Sequence, residues 1–346
     1  MSNPEPSNPE ASPPGAAIFG CAGTELSSAE RDFFRAADPL GFILFQRNCE
    51  TPEQVRELVA SLRSCVGRAD APVLIDQEGG RVQRLNPPHW PAYPAPARIA
   101  ALGADAPEAA FLVARLIAED LFDLGITVDC LPVLDIPVAG ADPVIGDRAY
   151  GSDPAIVAEL GNAVCKGLLE GGVLPVIKHI PGHGRGLVDS HLALPVVDTD
   201  RAELEATDFA PFRALGSMPW AMTAHIVYTA LDAQNPATLS AKVIEGVIRG
   251  WIEFEGVLIS DDLSMQALGG SFAERTARAL AAGCDLVLHC NGKMEEMQEV
   301  ASRLKPLSPA AVRRVEAGEA KRRAMRRDID RDTLKARYET LFGAGV

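Results

Sequence analysis

Short apolar runs recur along the chain at residues 16–19, 41–45, 73–76, 127–134, 173–177, 220–226, 257–260 and 285–289. Most do not alternate with polar residues and are too short for helices, the pattern of strands buried on both faces. Between them, apolar positions return every three or four residues at 28–37, 52–63, 107–124, 154–170, 201–215, 241–252 and 271–282, the period of amphipathic helices. Thr51 before Pro52, Asp153 before Pro154 and Ser240 before Ala241 are placed to cap three of these helices. Gly125, Gly171 and Gly283 each stand where a left-handed residue closes a helix before the next strand. Strands alternating with helices predict a parallel sheet covered on both faces. Eight such units predict an α/β fold closed as a single-domain (β/α)8 TIM-type barrel, with an open doubly wound sheet as the alternative.

The ends of the chain read differently. Residues 1–15 are rich in Pro, Ser, Asn and Glu and cannot bury enough surface to fold, so a disordered arm is expected there. The stretch 309–346 is rich in Arg and Ala and has a helical pattern, which predicts a C-terminal helical extension packed on the barrel. Residues 16–346 are thus expected to form one catalytic unit.

Composition narrows the function. The 346 residues are 47% hydrophobic and 23% charged, which is ordinary for a globular chain with a large core. A formal charge of −14 argues against nucleic acid or an anionic membrane as partner. The seven cysteines form no CxxC pair, so neither a disulfide framework nor a thiolate zinc site is indicated. The first residues lack the basic start and apolar core of a signal peptide, and no run reaches membrane-spanning length, so a reduced, cytoplasmic setting is expected.

Candidate chemistry gathers where the apolar runs end. In a parallel barrel the site lies at the C-terminal ends of the strands. There the sequence places Asp76 and Glu78; Asp135, Asp147 and Arg148; Lys178 and His179; His225; Asp261 and Asp262; and His289. The stretch 173–191 is the most concentrated. It turns from an apolar run into Lys178-His179, passes Pro181, Gly182, Gly184 and Gly186, and carries His183, Asp189 and His191. The glycines are expected to let this loop turn and move. Bland roles compete: Asp147 and Arg148 as a surface ion pair, Glu78 as part of a Gly79-Gly80 turn, Asp135 and Asp262 as residues that orient neighbours, His225 and His289 as core histidines. Lys178 resists such a role, because an ammonium at the end of a buried strand needs a polar or anionic partner.

Two chemistries fit these residues. Asp261 as a carboxylate nucleophile, with His191 as acid/base held by Asp189, makes a glycosidase. His179, His183, His225 and Asp261 around zinc make a metal hydrolase, but the HxH or HExxH spacing that sets two imidazoles on one ion is missing.

KHIPGHG (178–184), DSH (189–191) and SDDLSM (260–265), supported by DQEGGRVQR (76–84), IGDRAYG (145–151) and NPATLS (235–240), resemble in this order glycoside hydrolase family three, and within it the bacterial NagZ-type β-N-acetylglucosaminidases (β-hexosaminidases). The resemblance runs from about residue 16 to 291; Ile180 stands where the motif usually has Phe. It implies Asp261 as nucleophile, His191 with Asp189 as acid/base, and Asp76, Arg148, Lys178 and His179 as binders of the sugar hydroxyls, with Arg81 assisting Asp76. It implies no metal or other cofactor. The implied reaction is retaining removal of terminal N-acetylglucosamine from muropeptide fragments in cytoplasmic peptidoglycan recycling. Phosphorolysis on the same scaffold is the alternative, since a neutral histidine repels incoming phosphate less than a carboxylate does. A sugar-binding barrel without catalysis is a third class.

Overall fold

The computed structural model describes residues 12–343. Eight parallel strands close into a barrel: β1 (Gly15–Gly20), β2 (Pro39–Leu44), β3 (Val73–Ile75), β4 (Val128–Asp129), β5 (Leu174–Ile180), β6 (Trp220–Thr223), β7 (Val257–Asp262) and β8 (Leu286–His289). Each strand pairs with its sequence neighbours, and β8 closes on β1. The expected (β/α)8 architecture is therefore present. Residues 1–11 of the expected arm lie outside the described residues, and Gly15 already belongs to β1, its N–H bonded to the Asp38 carbonyl at 2.7 Å.

The runs lack alternation because both faces of each strand are apolar. Ile18, Leu74, Leu174, Val176, Trp220, Val257, Ile259, Leu286 and Leu288 fill the barrel interior. Phe19, Val73, Ile75, Ile177, Ala221, Leu258 and Val287 face the helices. This pleat decides what the strand ends deliver, since every second residue points inward. Following Leu74, the inward position is Asp76; following Val176, it is Lys178; following Ile259, it is Asp261.

Helices Ser28–Ala37 and Pro154–Glu170 have the expected bounds, and Thr51, Asp153 and Ser240 cap their helices. Four expectations change. The long fourth run is a regular strand only at Val128–Asp129; Pro132, with no N–H to donate, interrupts it, and the run bridges β5 again at Val133, opposite Lys178. The region 201–215 is two helices, Arg201–Ala206 and Ala210–Ala214, parted where Thr207 and Asp208 turn to bind Arg185. The 241–252 helix widens into a π-helix at Ile244–Trp251. Gly171 is right-handed, and Gly172 (φ +82°) takes the left-handed position expected of it. A small parallel pair, Val196–Val197 with Val227–Tyr228, was not foreseen.

The C-terminal extension is two helices. Pro309–Met325 covers the end of the barrel opposite the strand ends, with Leu307 and Ala311 in the interior cluster and Gly318 against the Trp220 ring. Arg331–Phe342 lies on the Ala106–Asp123 helix through Leu334, Tyr338 and a two-pronged Arg337–Glu108 pair. No described helix is long and apolar enough to cross a membrane.

Candidate active site

A cavity of about 370 Å³ opens at the C-terminal ends of the strands, and Asp76, Arg81, Arg148, Lys178, His179, Asp189, His191 and Asp261 all line it. The eight residues that the family resemblance assigns to the site thus meet in one place, although they come from five regions of the chain.

Two irregularities make the arrangement possible. Consecutive residues of a regular strand face opposite ways, yet Lys178 and His179 both line the cavity, as do Asp261 and Asp262. The β5–β6 register slips between Lys178 and Ile180, and the β7–β8 register slips between Ile259 and Asp262. Each slip adds a residue to the strand and turns two neighbours to one side, the usual effect of a bulge beside a site. Cys290 continues the inward set of β8, so His289 points outward, edge-on to Phe19 and Phe272. His289 is a core histidine.

The floor of the cavity is a buried ionic network. Lys178 Nζ lies 2.9 Å from Asp76 Oδ1 and 2.6 Å from Glu78 Oε1. Arg148 grips Glu78 with two hydrogen bonds of 2.8 Å. Arg84 donates to Asp76 Oδ2 at 3.0 Å. Burial pushes the Asp76 carboxyl up, but Lys178 and Arg84 outweigh it and hold the group well below the usual carboxylate range. Glu78 follows the same balance: burial opposes, while Lys178 and Arg148 bring it down to about 2. Burial disfavours the Lys178 ammonium, yet the two carboxylates raise it above its ordinary value. All members are therefore charged at neutral pH, and their outer faces can hydrogen-bond a polyhydroxylated ring.

Two residues of this network differ from the sequence reading. Glu78, read as a turn residue, is fully buried and joins both cations; it shares the inward parity of Asp76, a signal the sequence carried. Its neighbour Gly79 (φ +90°) is needed because a Cβ there would lie 2.4 Å from the Pro94 carbonyl oxygen. The assistance to Asp76 expected of Arg81 comes from Arg84. Arg81 reaches the cavity rim instead, where its half-exposed guanidinium pairs with Asp147 at 3.0 Å.

The histidines have separate settings. His179 Nδ1 lies 2.7 Å from Asp135 Oδ2, and the same carboxylate accepts the His179 backbone N–H at 3.1 Å. Asp135 stays ionised because His179 outweighs the effect of its burial. Nδ1 is then the donor, and Nε2 is the free nitrogen. His225 is buried and held neutral by that burial. Its Nε2 faces the Asp262 carbonyl at 3.1 Å and so carries the proton; Nδ1 accepts from Thr238 Oγ1 at 2.7 Å. Thr223 Oγ1 lies 2.7 Å from Thr238 Oγ1 and accepts the Asp261 N–H at 3.4 Å. His225 thus braces the backbone on both sides of Asp261. Among the described residues no group of three or more His, Cys, Asp or Glu is placed to hold a metal ion.

Asp261 stands at the end of β7 with Oδ1 accepting the Asp262 N–H at 2.8 Å. Burial raises its carboxyl, but the imidazoles of His179 and His225, that N–H and His191 together bring it below the usual range. An ionised, inward-facing carboxylate can attack an electrophilic carbon. Asp262 turns to Ser264 and the Cys290 N–H, so it shapes the strand end.

Across the rim, His191 Nδ1 lies 2.7 Å from Asp189 Oδ1, which also accepts the His191 N–H at 2.9 Å. Burial raises the Asp189 carboxyl, but these bonds and the His191 ring outweigh it and lower the group, so it is the acceptor and Nε2 is left without a partner on Asp189. The His191 side chain is 64% exposed.

The glycines before it do not match their expected role. Residues 181–184 and Gly186 are buried. A Cβ on Gly184 would lie 1.8 Å from the Ile136 carbonyl oxygen, and the Gly184 and Gly186 carbonyls accept the Val138 and Asp142 N–H groups. These glycines permit close packing; the exposed part of the loop begins past them, at Leu187.

Comparison with known proteins agrees with this geometry. The glycosyl hydrolase family 3 N-terminal domain matches residues 27–322. A β-hexosaminidase of Alkalilimnicola ehrlichii is 40% identical over 285 residues, covering 80% of this chain and 81% of that protein. A β-hexosaminidase of Pseudomonas aeruginosa is 37% identical over 306 residues, covering 87% and 90%. NagZ from Neisseria gonorrhoeae, solved with N-trifluoroacetyl-D-glucosamine, superposes with a TM-score of 0.84 at 32% identity over 95% of this chain and 98% of that one. A family 3 β-N-acetylglucosaminidase from Paenibacillus sp. also gives 0.84, at 31% identity over 94% of this chain and 66% of that one. With its barrel, its clustered strand-end residues and these matches, the chain belongs to glycosyl hydrolase family 3 and is a glycoside hydrolase.

Proposed function

We propose that the protein is a retaining exo-β-N-acetylglucosaminidase in which Asp261 is the nucleophile and His191, oriented by Asp189, is the acid/base. The observation that carries this reading is the ionised Asp261 carboxylate in a cavity whose other edge bears the Asp189–His191 pair. Asp76, Arg148, Lys178 and His179 would hold the hydroxyls of the terminal sugar, with Arg84 completing the set and Arg81 at the rim. In the first step Asp261 attacks the anomeric carbon, and His191 Nε2–H protonates the departing oxygen. In the second, the now neutral His191 takes a proton from water as it displaces Asp261 and restores the starting configuration.

Relatives named β-hexosaminidase and NagZ support an N-acetylglucosaminide as substrate. The finer reading places the enzyme in the cytoplasm, acting without a cofactor on muropeptide fragments, N-acetylglucosamine joined to anhydro-N-acetylmuramic acid with or without peptide. On this reading the barrel from Gly15 onward and its C-terminal helices act as one catalytic unit.

A slow fluorinated β-N-acetylglucosaminide should leave a covalent sugar on Asp261 in a peptide mass map. Asp261→Ala should abolish turnover of an aryl β-N-acetylglucosaminide without loss of fold. A label on any other residue, or an active Asp261→Ala enzyme, overturns the assignment.

A further inference from the structure

Two buried polar side chains of the loop after β5 have no part in the chemistry above. His183 Nε2 lies 3.0 Å from Ser190 Oγ, and both residues are almost wholly buried. Ser190 sits between the two members of the acid/base pair. Within residues 187–194 it is the one buried residue; Leu187 and Leu192 on either side are 65% and 68% exposed. Apolar packing therefore does not pin this part of the loop. The Asp189–His191 hydrogen bond does not pin it either, since both partners travel together.

His183, in contrast, is fixed to the barrel. Its backbone N–H donates to Asp135 Oδ1 at 2.7 Å, and its ring stands edge-on to His179 with centroids 5.7 Å apart. Gly186 lies so near that a Cβ there would be 3.3 Å from His183 Cε1. On the far side, the Ser190 and His191 carbonyls accept the Ala267 and Gln266 N–H groups at 3.2 and 3.4 Å, from the segment that follows Asp261.

We infer that the His183–Ser190 hydrogen bond is a clasp that sets the acid/base pair over the cavity, and that His183 and Ser190 are positioning residues for proton transfer. The clasp rests on the reading of His191 as acid/base. Burial brings His183 down to about 4, so its ring is neutral at working pH and exchanges one hydrogen bond with the hydroxyl. Asp135 holds His179 with one carboxylate oxygen and the His179 and His183 backbones with the other. The sugar-binding histidine and the clasp thus share one anchor. When the clasp opens, residues 187–194 keep the two long backbone bonds to 266 and 267, between anchors at the Gly186 carbonyl, which accepts the Asp142 N–H, and the Pro195 carbonyl, which accepts the Val227 N–H.

The test compares two aryl β-N-acetylglucosaminides. One has a poor leaving group that needs protonation; the other, a 2,4-dinitrophenolate, departs without it. Ser190→Ala should lower kcat/KM for the first by roughly three- to tenfold, the factor one buried neutral hydrogen bond supplies. For the second it should change kcat/KM by less than about twofold, because no proton is required. Inhibition by free N-acetylglucosamine should be unchanged, which verifies fold and sugar subsite. Gly186→Ala, which presses on the His183 ring while leaving Ser190 intact, should give the same selective loss and decides the matter if Ser190→Ala folds poorly. Equal losses on both substrates, or none on either, overturn the clasp. A wild-type enzyme that cleaves neither substrate overturns the functional reading instead.

Discussion

Glu78→Gln tests the ionic floor of the cavity most directly. The substitution keeps the shape and removes one charge from a group that lies 2.6 Å from Lys178 and accepts both prongs of Arg148. Holding this carboxyl at about 2, against an ordinary 4.5, corresponds to roughly 3 kcal/mol in favour of the charged, folded form. Breaking one partner of a buried ion pair costs about 3–5 kcal/mol by a separate route, the uncompensated charge left behind. The two figures agree, so the variant should lose roughly 3 kcal/mol in urea unfolding near pH 7. The sign with pH follows from the direction of the shift. A carboxyl lowered on folding adds stability that is complete above its unfolded value and disappears as pH falls from about 4.5 to about 2. The gap between wild type and variant should therefore narrow by about 1.4 kcal/mol for each pH unit below that upper bound. Binding should suffer too, because Arg148 loses its fork, and the KM for an aryl glycoside should rise. A loss under about 0.5 kcal/mol, the scale of a surface substitution, would refute the network as a structural element. A loss that stays constant between neutral pH and about pH 3 would refute its electrostatic origin.

Two further outcomes separate readings that sequence alone leaves together. Gly184→Ala should destabilise the fold by more than about 3 kcal/mol, since its Cβ would collide with the Ile136 carbonyl; an unchanged thermal melt with lower kcat would instead mark Gly184 as a hinge. Arg84→Met should raise KM at least tenfold, whereas Arg81→Met, which removes a half-exposed pair worth about 0–1 kcal/mol, should change it by less than about fivefold. Steady-state kinetics on an aryl β-N-acetylglucosaminide measure both, and the reverse ranking would return Arg81 to the sugar subsite.

Much of the site was legible because barrel chemistry follows a simple geometric rule. Apolar runs ending in Asp76, Lys178 and Asp261 could be read as inward positions at the open end, and the DSH motif after β5 stood out by composition. Glu78 was legible in the same way, two residues past Asp76, but the following glycines drew attention to a turn. Arg84 was less so. Nothing local distinguishes it from Arg81, and the choice depends on the path of a loop that carries one guanidinium to Asp76 and the other to Asp147. His225 and His289 were equivalent as sequence; the fold makes one a brace behind Asp261 and leaves the other among phenylalanines.

By itself, the order of apolar runs and caps pointed to a parallel α/β sheet of eight units with polar residues at its strand ends, and the resemblance of the motifs pointed to the family. The first follows from local periodicity and from side chains that no buried strand would otherwise carry; closure of the sheet into a barrel, over the open alternative, is seen in the pairing of β8 with β1. Tertiary structure decided which neighbours share a face, because the bulges at His179 and Asp261 depend on how adjacent strands pair. It also decided that the loop glycines serve close packing and that a buried serine between Asp189 and His191 meets the His183 ring. Those are contacts between segments distant in sequence, and a glycine or a serine has the same letter whether it bends, fills a gap or holds a hydrogen bond.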